Sequence, residues 1–143
     1  MLQRYSTYLD LSLMTVLATL DATGNPYTAN VYFWYDDEAC YFISRPTREH
    51  SQHIVHHSSI AWSIFNSEKY AANDGDKKWL QFQGECIELD EVFGKHIFDT
   101  VYNPRIGFKN WFPEWHRVYK CIPKRLKIWD ESLYWGNGKV ILF

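Results

Sequence analysis

Residues 42–54 read FISRPTREHSQHI and gather the groups in this chain most able to do chemistry. Three roles suit them: an anion cradle at a helix start, a metal site, or a solvated turn. A helix N-terminus presents unpaired N–H groups and partial positive charge. Ser44, Arg45, Thr47, Arg48 and a protonated His50 would add hydroxyl and cationic donors at the same point. That donor set suits phosphate. The metal role rests on His50, His53, His56 and His57. On a helix, His50 and His53, then His53 and His57, share faces at spacings of three and four. The zincin pattern, however, needs a Glu beside its first His. Here Glu49 precedes the four histidines and no carboxylate stands among them. The residue types therefore favour the anion, with arginines simply left in water at a strand end as the plain alternative, and no native metal site is expected.

Other motifs fail on inspection. Asp74 to Glu85 imitates a calcium loop at its ends, but Lys78 and Trp79 stand where a ligand and Gly are required. The Gly-Asn-Gly at 136–138 has too little chain after it for a dinucleotide-binding helix. Nothing resembles a nucleophile elbow. Residues 117–127 carry five basic and no acidic side chains. A net charge of -2 argues against a nucleic-acid face, so lysines guarding a strand edge are the expected role.

The elements that must position these groups are mostly strands. Residues 13–20 (LMTVLATL) suit a buried strand, and DATGNP is a turn cluster. Residues 27–35 and 40–44 complete a three-strand meander. A helix is expected from Thr47 to about His57, opened by Pro46. Residues 60–66 form a fourth strand, and 79–89 alternate as a half-buried fifth in which Gly84 marks a bulge. Asp90 caps a second helix running to Tyr102 and ended by Pro104 and Gly107. Its apolar stripe is Phe93, Ile97 and Val101, with Phe98 and Tyr102 beside it. Residues 117–122, 125–130 and 133–142 read as separate late strands, the last folded about a turn at 136–138. A short helix is expected within residues 3–12. Six or seven short strands and few helices predict a mainly β fold, an antiparallel barrel.

Composition sets the frame. At 143 residues the chain is expected to be one domain, 1–143. Hydrophobic residues at 46% and charged at 22% are ordinary for a globular protein. Aromatics at 18% are not ordinary. They suit a broad apolar interface, a flat-ring ligand, or simply strands. Cys40, Cys86 and Cys121 form no C-x-x-C pair, so neither zinc nor a disulfide scaffold is indicated. The start MLQRYSTYLD is not a signal peptide, and no apolar run has membrane-spanning length. A reducing cytoplasm is expected.

In this order the parts resemble the flavin-binding split barrel of the pyridoxamine 5'-phosphate oxidase-like superfamily. The resemblance runs through VLATLDATGNPYTANVYFWYDDEACYFISRPTREHSQHIVHHSSIAWSIF and returns in LQFQGECIEL. The tail IWDESLYWGNGKVILF is similar to a small branch with a Gly-rich turn and a final apolar strand. The resemblance implies FMN at a homodimer interface and a small-molecule substrate, with neither nucleic acid nor membrane as a partner. It implies that the backbone of Thr28, Ala29, Asn30 and Val31 faces the isoalloxazine edge. Ile43 and Ser44 would flank the ribityl chain and phosphate, and Thr47, Arg48 and His50 would bind the phosphate, beside the Arg45 of the anion cradle. Trp79, Gln81 and Gln83 lie on the strand that approaches the cofactor, in some members from the partner chain. The family often has Lys or Arg at the His50 position, and the C-terminal arginine signature of true pyridoxamine phosphate oxidases is not visible. Vitamin B6 oxidation is therefore not implied, and no dedicated acid or base stands out. The expectation is an FMN oxidoreductase passing hydride or electrons between a reduced nicotinamide and a small acceptor. The alternatives are a non-catalytic flavin- or haem-binding module and a reductase using the deazaflavin F420.

Overall fold

The computed structural model of the chain describes residues 2–10, 12–65, 78–107, 114–130 and 138–143. The polar loop expected after residue 66, most of the aromatic loop after Gly107, and the first two residues of the 136–138 turn lie outside them.

The seven strands of the described residues pair antiparallel: β1 (Met14–Leu20), β2 (Pro26–Tyr35), β3 (Cys40–Ser44), β4 (Ser59–Phe65), β5 (Lys78–Glu88), β6 (Arg117–Asp130) and β7 (Lys139–Leu142). The order β3-β2-β1-β4-β5-β6 closes through β3–β6 pairing into a six-stranded barrel, and β7 is added to β6. One edge of β6 is thus shared: Arg117–Cys121 pair with β3 and Arg125–Ile128 with β7. The antiparallel barrel and the meander β1–β2–β3 agree with the sequence expectation.

The first turn explains its own sequence. The Asp21 carboxylate accepts the Thr23 N–H at 2.8 Å, the Thr23 hydroxyl at 2.7 Å, the Asn25 N–H at 2.9 Å and the Asn25 amide at 3.0 Å. Those donors hold its carboxyl far below the usual carboxylate range. Gly24 takes the left-handed φ of 87° that this turn needs.

Strand alternation divides the apolar residues between two cores. Leu17, Val31, Phe33, Phe42, Trp62, Ile64, Leu80, Phe82, Tyr119 and Leu126 fill the barrel interior. The outer face of β3 and the start of β6 send Tyr41 and Val118 to a second cluster with Leu89, Ile97, Phe98 and Tyr102. Helices supply that cover. α3 (Glu91–Ile97) is capped by Asp90, whose carboxylate accepts the Phe93 N–H at 3.0 Å.

Three details depart from expectation. First, residues 117–130 are one strand, not two. The β5–β6 register shifts between Gln83 and Gly84, so that Gly84 faces Pro123 and Lys124 is the extra residue. Before the bulge the odd residues Tyr119 and Cys121 point inward; after it the even residues Leu126, Ile128 and Asp130 do. That reversal of phase imitates a break. Pro123, lacking an N–H, sits where the ladder is already interrupted. Second, Pro104 does not end the second helix. A π-helical turn (Phe98–Tyr102) leads into α4 (Asn103–Ile106), which holds Pro104 in its first turn, where its missing N–H costs little. Gly107, at φ 78°, makes the stop. Third, Phe93 is exposed and Gly94 takes its place on the buried side, because the helix lies close against Val118 and Leu89.

Candidate functional site

A cleft of about 730 Å³ lies between the first half of β2, the end of β3 and the start of α2 (Glu49–His56), with Tyr102 and His116 at its margin. Pairing explains the long wall. On one side β2 pairs with β1 over Pro26–Tyr32; on the other it pairs with β3 only over Phe33–Tyr35. The Phe33 N–H is donated toward β1, to Leu13 O at 3.0 Å. Backbone groups alternate along a strand, so those of Thr28, Asn30 and Tyr32 point to the unpaired edge. The Tyr32 carbonyl confirms the phase: it accepts the Tyr102 hydroxyl at 3.1 Å. This edge is a row of main-chain donors and acceptors facing the cleft. Tyr102 reaches it from the π-helical turn, a deformation frequent at functional sites.

The short end carries positive charge. β3 delivers Ser44, a turn closed by Arg48 N–H to Arg45 O at 3.0 Å follows, and α2 begins. Arg48 stands at the cap with no side-chain capping bond. The first intrahelical bond is Gln52 N–H to Arg48 O at 3.0 Å, which leaves the N–H groups of Glu49, His50 and Ser51 ahead of the ladder. Arg45, Thr47 and Arg48 are exposed around this point. Ser44 and His50 are buried, and Ser44 Oγ lies 2.8 Å from His50 Nε2. Burial first, then Arg48 and His53, pushes the His50 pKa below its ordinary value. His50 is therefore neutral near pH 7 and acts as a hydrogen-bond partner of Ser44, where the sequence reading added it to the cradle as a cation. Burial first, then Arg45 and Arg48, likewise lowers the His116 pKa. Both arginines thus lie near one imidazole, whose Nδ1 is buried with no hydrogen-bond partner among the described residues.

Ala29, Asn30, Val31, Ile43, Ser44, Arg45, Thr47, Arg48 and His50 all line this cleft. Thr28 stands opposite Ala18 on the exposed side of β2, outside the lining. Trp79, Gln81 and Gln83 do not meet the cleft. Trp79 stacks on Trp129 at 4.9 Å, and Gln83 Oε1 accepts from Arg125 at 3.2 Å. Gln81 and Gln83 line a separate shallow depression with Val16, Ala18 and Ser63 on the outer face of β1, β4 and β5. Tyr27, Tyr32, Glu49, Tyr102 and His116 line the cleft without having been expected there. For Tyr27 and Tyr32 the signal was available: a cleft along a strand edge collects side chains from both faces. For Tyr102, 70 residues from its partner Tyr32, no local pattern exists. The other histidines are placed apart. His53 Nδ1 lies 3.0 Å from Thr19 Oγ1 and packs edge-on against Tyr27. Among the described residues no group of three His, Cys, Asp or Glu side chains is placed to hold a metal ion. No helix of the described residues is long and apolar enough to cross a membrane.

No protein-family model matches the sequence. No curated protein matches it either. Solved structures do resemble it. ChuZ from Campylobacter jejuni superposes with a TM-score of 0.76 at 20% identity over 99% of this chain and 59% of that one. A heme binding protein from Mycobacterium smegmatis gives 0.70 at 16% identity, over 95% of this chain and 55% of that one. A Listeria innocua protein provisionally assigned as a pyridoxamine 5'-phosphate oxidase gives 0.67 at 15% identity, over 88% of this chain and 95% of that one. The chain therefore spans little more than half the length of the first two. At these identities the likeness establishes the fold alone, an antiparallel barrel shared with these structures, one of them provisionally assigned as a pyridoxamine 5'-phosphate oxidase.

Proposed function

We propose that the cleft binds FMN, with the phosphate at the start of α2 and the ring along the open edge of β2. On this reading a homodimer of the chain passes hydride or electrons between a reduced nicotinamide and a small acceptor. The observation that carries the reading is the convergence of an uncapped helix start with Arg45, Arg48 and Thr47 at one end of a cleft whose wall is unpaired backbone. A phosphate dianion needs cations and N–H donors together, and a flavin ring needs main-chain donors and acceptors along its polar edge. Both are present, so the residues fit the group.

Each part of the chain then has a task. Arg45 and Arg48 neutralise the phosphate, while Thr47 and the first N–H groups of α2 donate to its oxygens. The neutral His50 holds Ser44 in place beneath them. Asn30 and Tyr32 offer backbone groups to the ring, and Tyr102 fixes the Tyr32 carbonyl. Bound flavin would supply the redox chemistry, and the cleft's side chains would place it. Trp79, Gln81 and Gln83 lie away from their own cleft; in the dimer they would serve the partner's. The three buried, unpaired cysteines suit a reducing compartment such as the cytoplasm.

A second reading, haem binding without turnover, is favoured by one feature: the neutral His116 with its unpartnered buried nitrogen at the cleft margin. Two of the similar structures are of proteins named for heme binding or as ChuZ, but the two arginines and exposed hydroxyls of this cleft suit a phosphate better than an apolar macrocycle. Extraction and mass measurement of what copurifies, followed by titration with FMN, haem and F420, separates the readings. Micromolar FMN binding with reduction by NADH or NADPH supports the first. Haem uptake that displaces FMN, or failure to take up FMN, refutes it.

A further inference from the structure

The barrel interior holds three thiols that the flavin reading does not use. Cys40, Cys86 and Cys121 are all buried and all free. Register lines them up. On β6, Cys121 stands opposite Cys40 of β3 on one side and opposite Cys86 of β5 on the other. One row of sulfurs thus crosses neighbouring strands inside the barrel core.

The two neighbours of Cys121 are not equivalent. The Cys86 N–H is donated away from β6, to Ser58 O at 2.7 Å. The Leu89 N–H, of the opposite phase, is donated toward β6, to Val118 O at 2.9 Å. Cys86 and Cys121 are therefore a non-hydrogen-bonded cross-strand pair, the class whose Cα atoms lie only about 4.5 Å apart. A disulfide spans roughly 4.4–6.8 Å between Cα atoms. The sulfurs already meet: the Cys121 thiol donates to Cys86 Sγ at 3.6 Å. Closing a bond between them takes side-chain rotation, with the strands left in register. Burial pushes the Cys40 thiol up to about 12, and burial, then the Cys86 hydrogen bond, pushes the Cys121 thiol well up. Thiolate is scarce at both, so the resting row stays reduced. Between Cys86 and Cys121 the chain leaves the barrel, builds α3, the π-helical turn and α4, and returns to β6. That excursion brings Tyr102 and His116 to the cleft.

We infer that Cys86 and Cys121 are an oxidation site, joined by peroxide into a reversible disulfide that staples the base of the excursion carrying Tyr102 and His116. One thiol takes the peroxide oxygen, becomes a sulfenic acid and releases water. The other sulfur displaces that oxygen, the S–S bond forms and a second water leaves. Two electrons pass from the sulfurs to the peroxide, and a dithiol restores them by exchange. In a compartment that keeps thiols reduced, the bond forms only when peroxide rises. This chemistry does not depend on what the cleft binds.

The test uses the full chain, purified with its thiols reduced and then held with hydrogen peroxide. Intact mass should fall by about 2 Da, the two hydrogens lost. Peptide mapping without reductant should join Cys86 to Cys121. The bond ties positions 35 apart in sequence. A loop of that length should raise Tm by about 10 °C, and dithiothreitol should reverse the rise. Because the thiols are buried, the native protein should oxidise over hours. Cys40→Ala should still form the bond, and Cys86→Ala should show no rise in Tm. Should either variant fail to fold, the wild-type map and melting curve decide alone. Thiols that all stay titratable after peroxide, oxidation that stops at added oxygen, a bond through Cys40, or a Cys86–Cys121 bond that leaves Tm unchanged or lower would overturn the inference.

Discussion

Gly84→Ala is the sharpest test of how the barrel is closed. A Cβ at Gly84 would fall well inside contact distance of the Ile122 carbonyl oxygen, 3.0 Å from its carbon and 3.1 Å from Pro123 Cα. All three atoms are backbone of β6, so no side chain can swing aside. Forcing a methyl group into such a site costs about 1–3 kcal/mol by the measure of overpacked cores. Pushing β6 away also weakens one or two neighbouring ladder bonds, at about 1 kcal/mol each. The sum, about 2–5 kcal/mol, is a large share of the roughly 5–15 kcal/mol that holds a domain together. At this chain length it corresponds to a fall in Tm of about 10 °C. The damage should reach the cleft, because the β6 residues before the bulge pair with Cys40–Ser44 of β3, which delivers Ser44. Thermal unfolding by circular dichroism measures the loss. A Gly84→Ala protein melting within about 2 °C of wild type would refute the close approach of the strands and the bulge argument with it.

Three further outcomes are expected. Stability should fall as pH drops below 6.5. The folded-state pKa values of His50 and His116 lie below that ordinary value, so the unfolded chain takes up protons first. A Tm constant between pH 7.5 and 5.5, or a His50→Gln protein with an unchanged slope, would count against it. Tyr102→Phe should cost about 1 kcal/mol of stability by leaving the Tyr32 carbonyl without its donor, and should also weaken flavin binding; chemical denaturation reads the first and titration the second. Asp21→Ala should lower Tm by removing four hydrogen bonds from the β1–β2 turn, and the loss should vanish in acid once the wild-type carboxylate is protonated.

Much of this architecture is legible in the sequence where local chemistry decides it. DATGNP is a turn because Asp21 can collect its neighbours' donors, and residues 40–44 are a strand because a short apolar run stands between the polar DDEA turn and Arg45–Pro46. Asp90 caps a helix from its own side chain. Legibility fails where a distant partner sets the local rule. The phase reversal in β6 is imposed by the packing of Gly84 against Ile122, 38 positions away in sequence, and without it the strand looks like two. The exposure of Phe93 follows from how closely α3 lies on Val118. The basic end of the cleft is visible as a run of Ser, Arg, Thr and Arg, since a helix start concentrates its donors in adjacent residues. The long wall was only partly visible, because an unpaired strand edge depends on where β3 stops pairing. Tyr102 and His116 come to the cleft through tertiary placement alone.

The central claim is that a flavin phosphate sits at the start of α2. The direct measurement is the affinity of the wild type, Arg48→Ala and His57→Ala for FMN and for riboflavin, which lacks the phosphate. The wild type should prefer FMN by about 2–3 kcal/mol, or roughly 30- to 150-fold, from several charge-assisted bonds. Arg48 is exposed and screened by water, so Arg48→Ala should reduce that preference by about tenfold and no more. His57→Ala should leave it unchanged, and riboflavin affinity should be similar in all three proteins. Equal binding of FMN and riboflavin by the wild type, or equal losses in the Arg48 and His57 variants, would contradict the account.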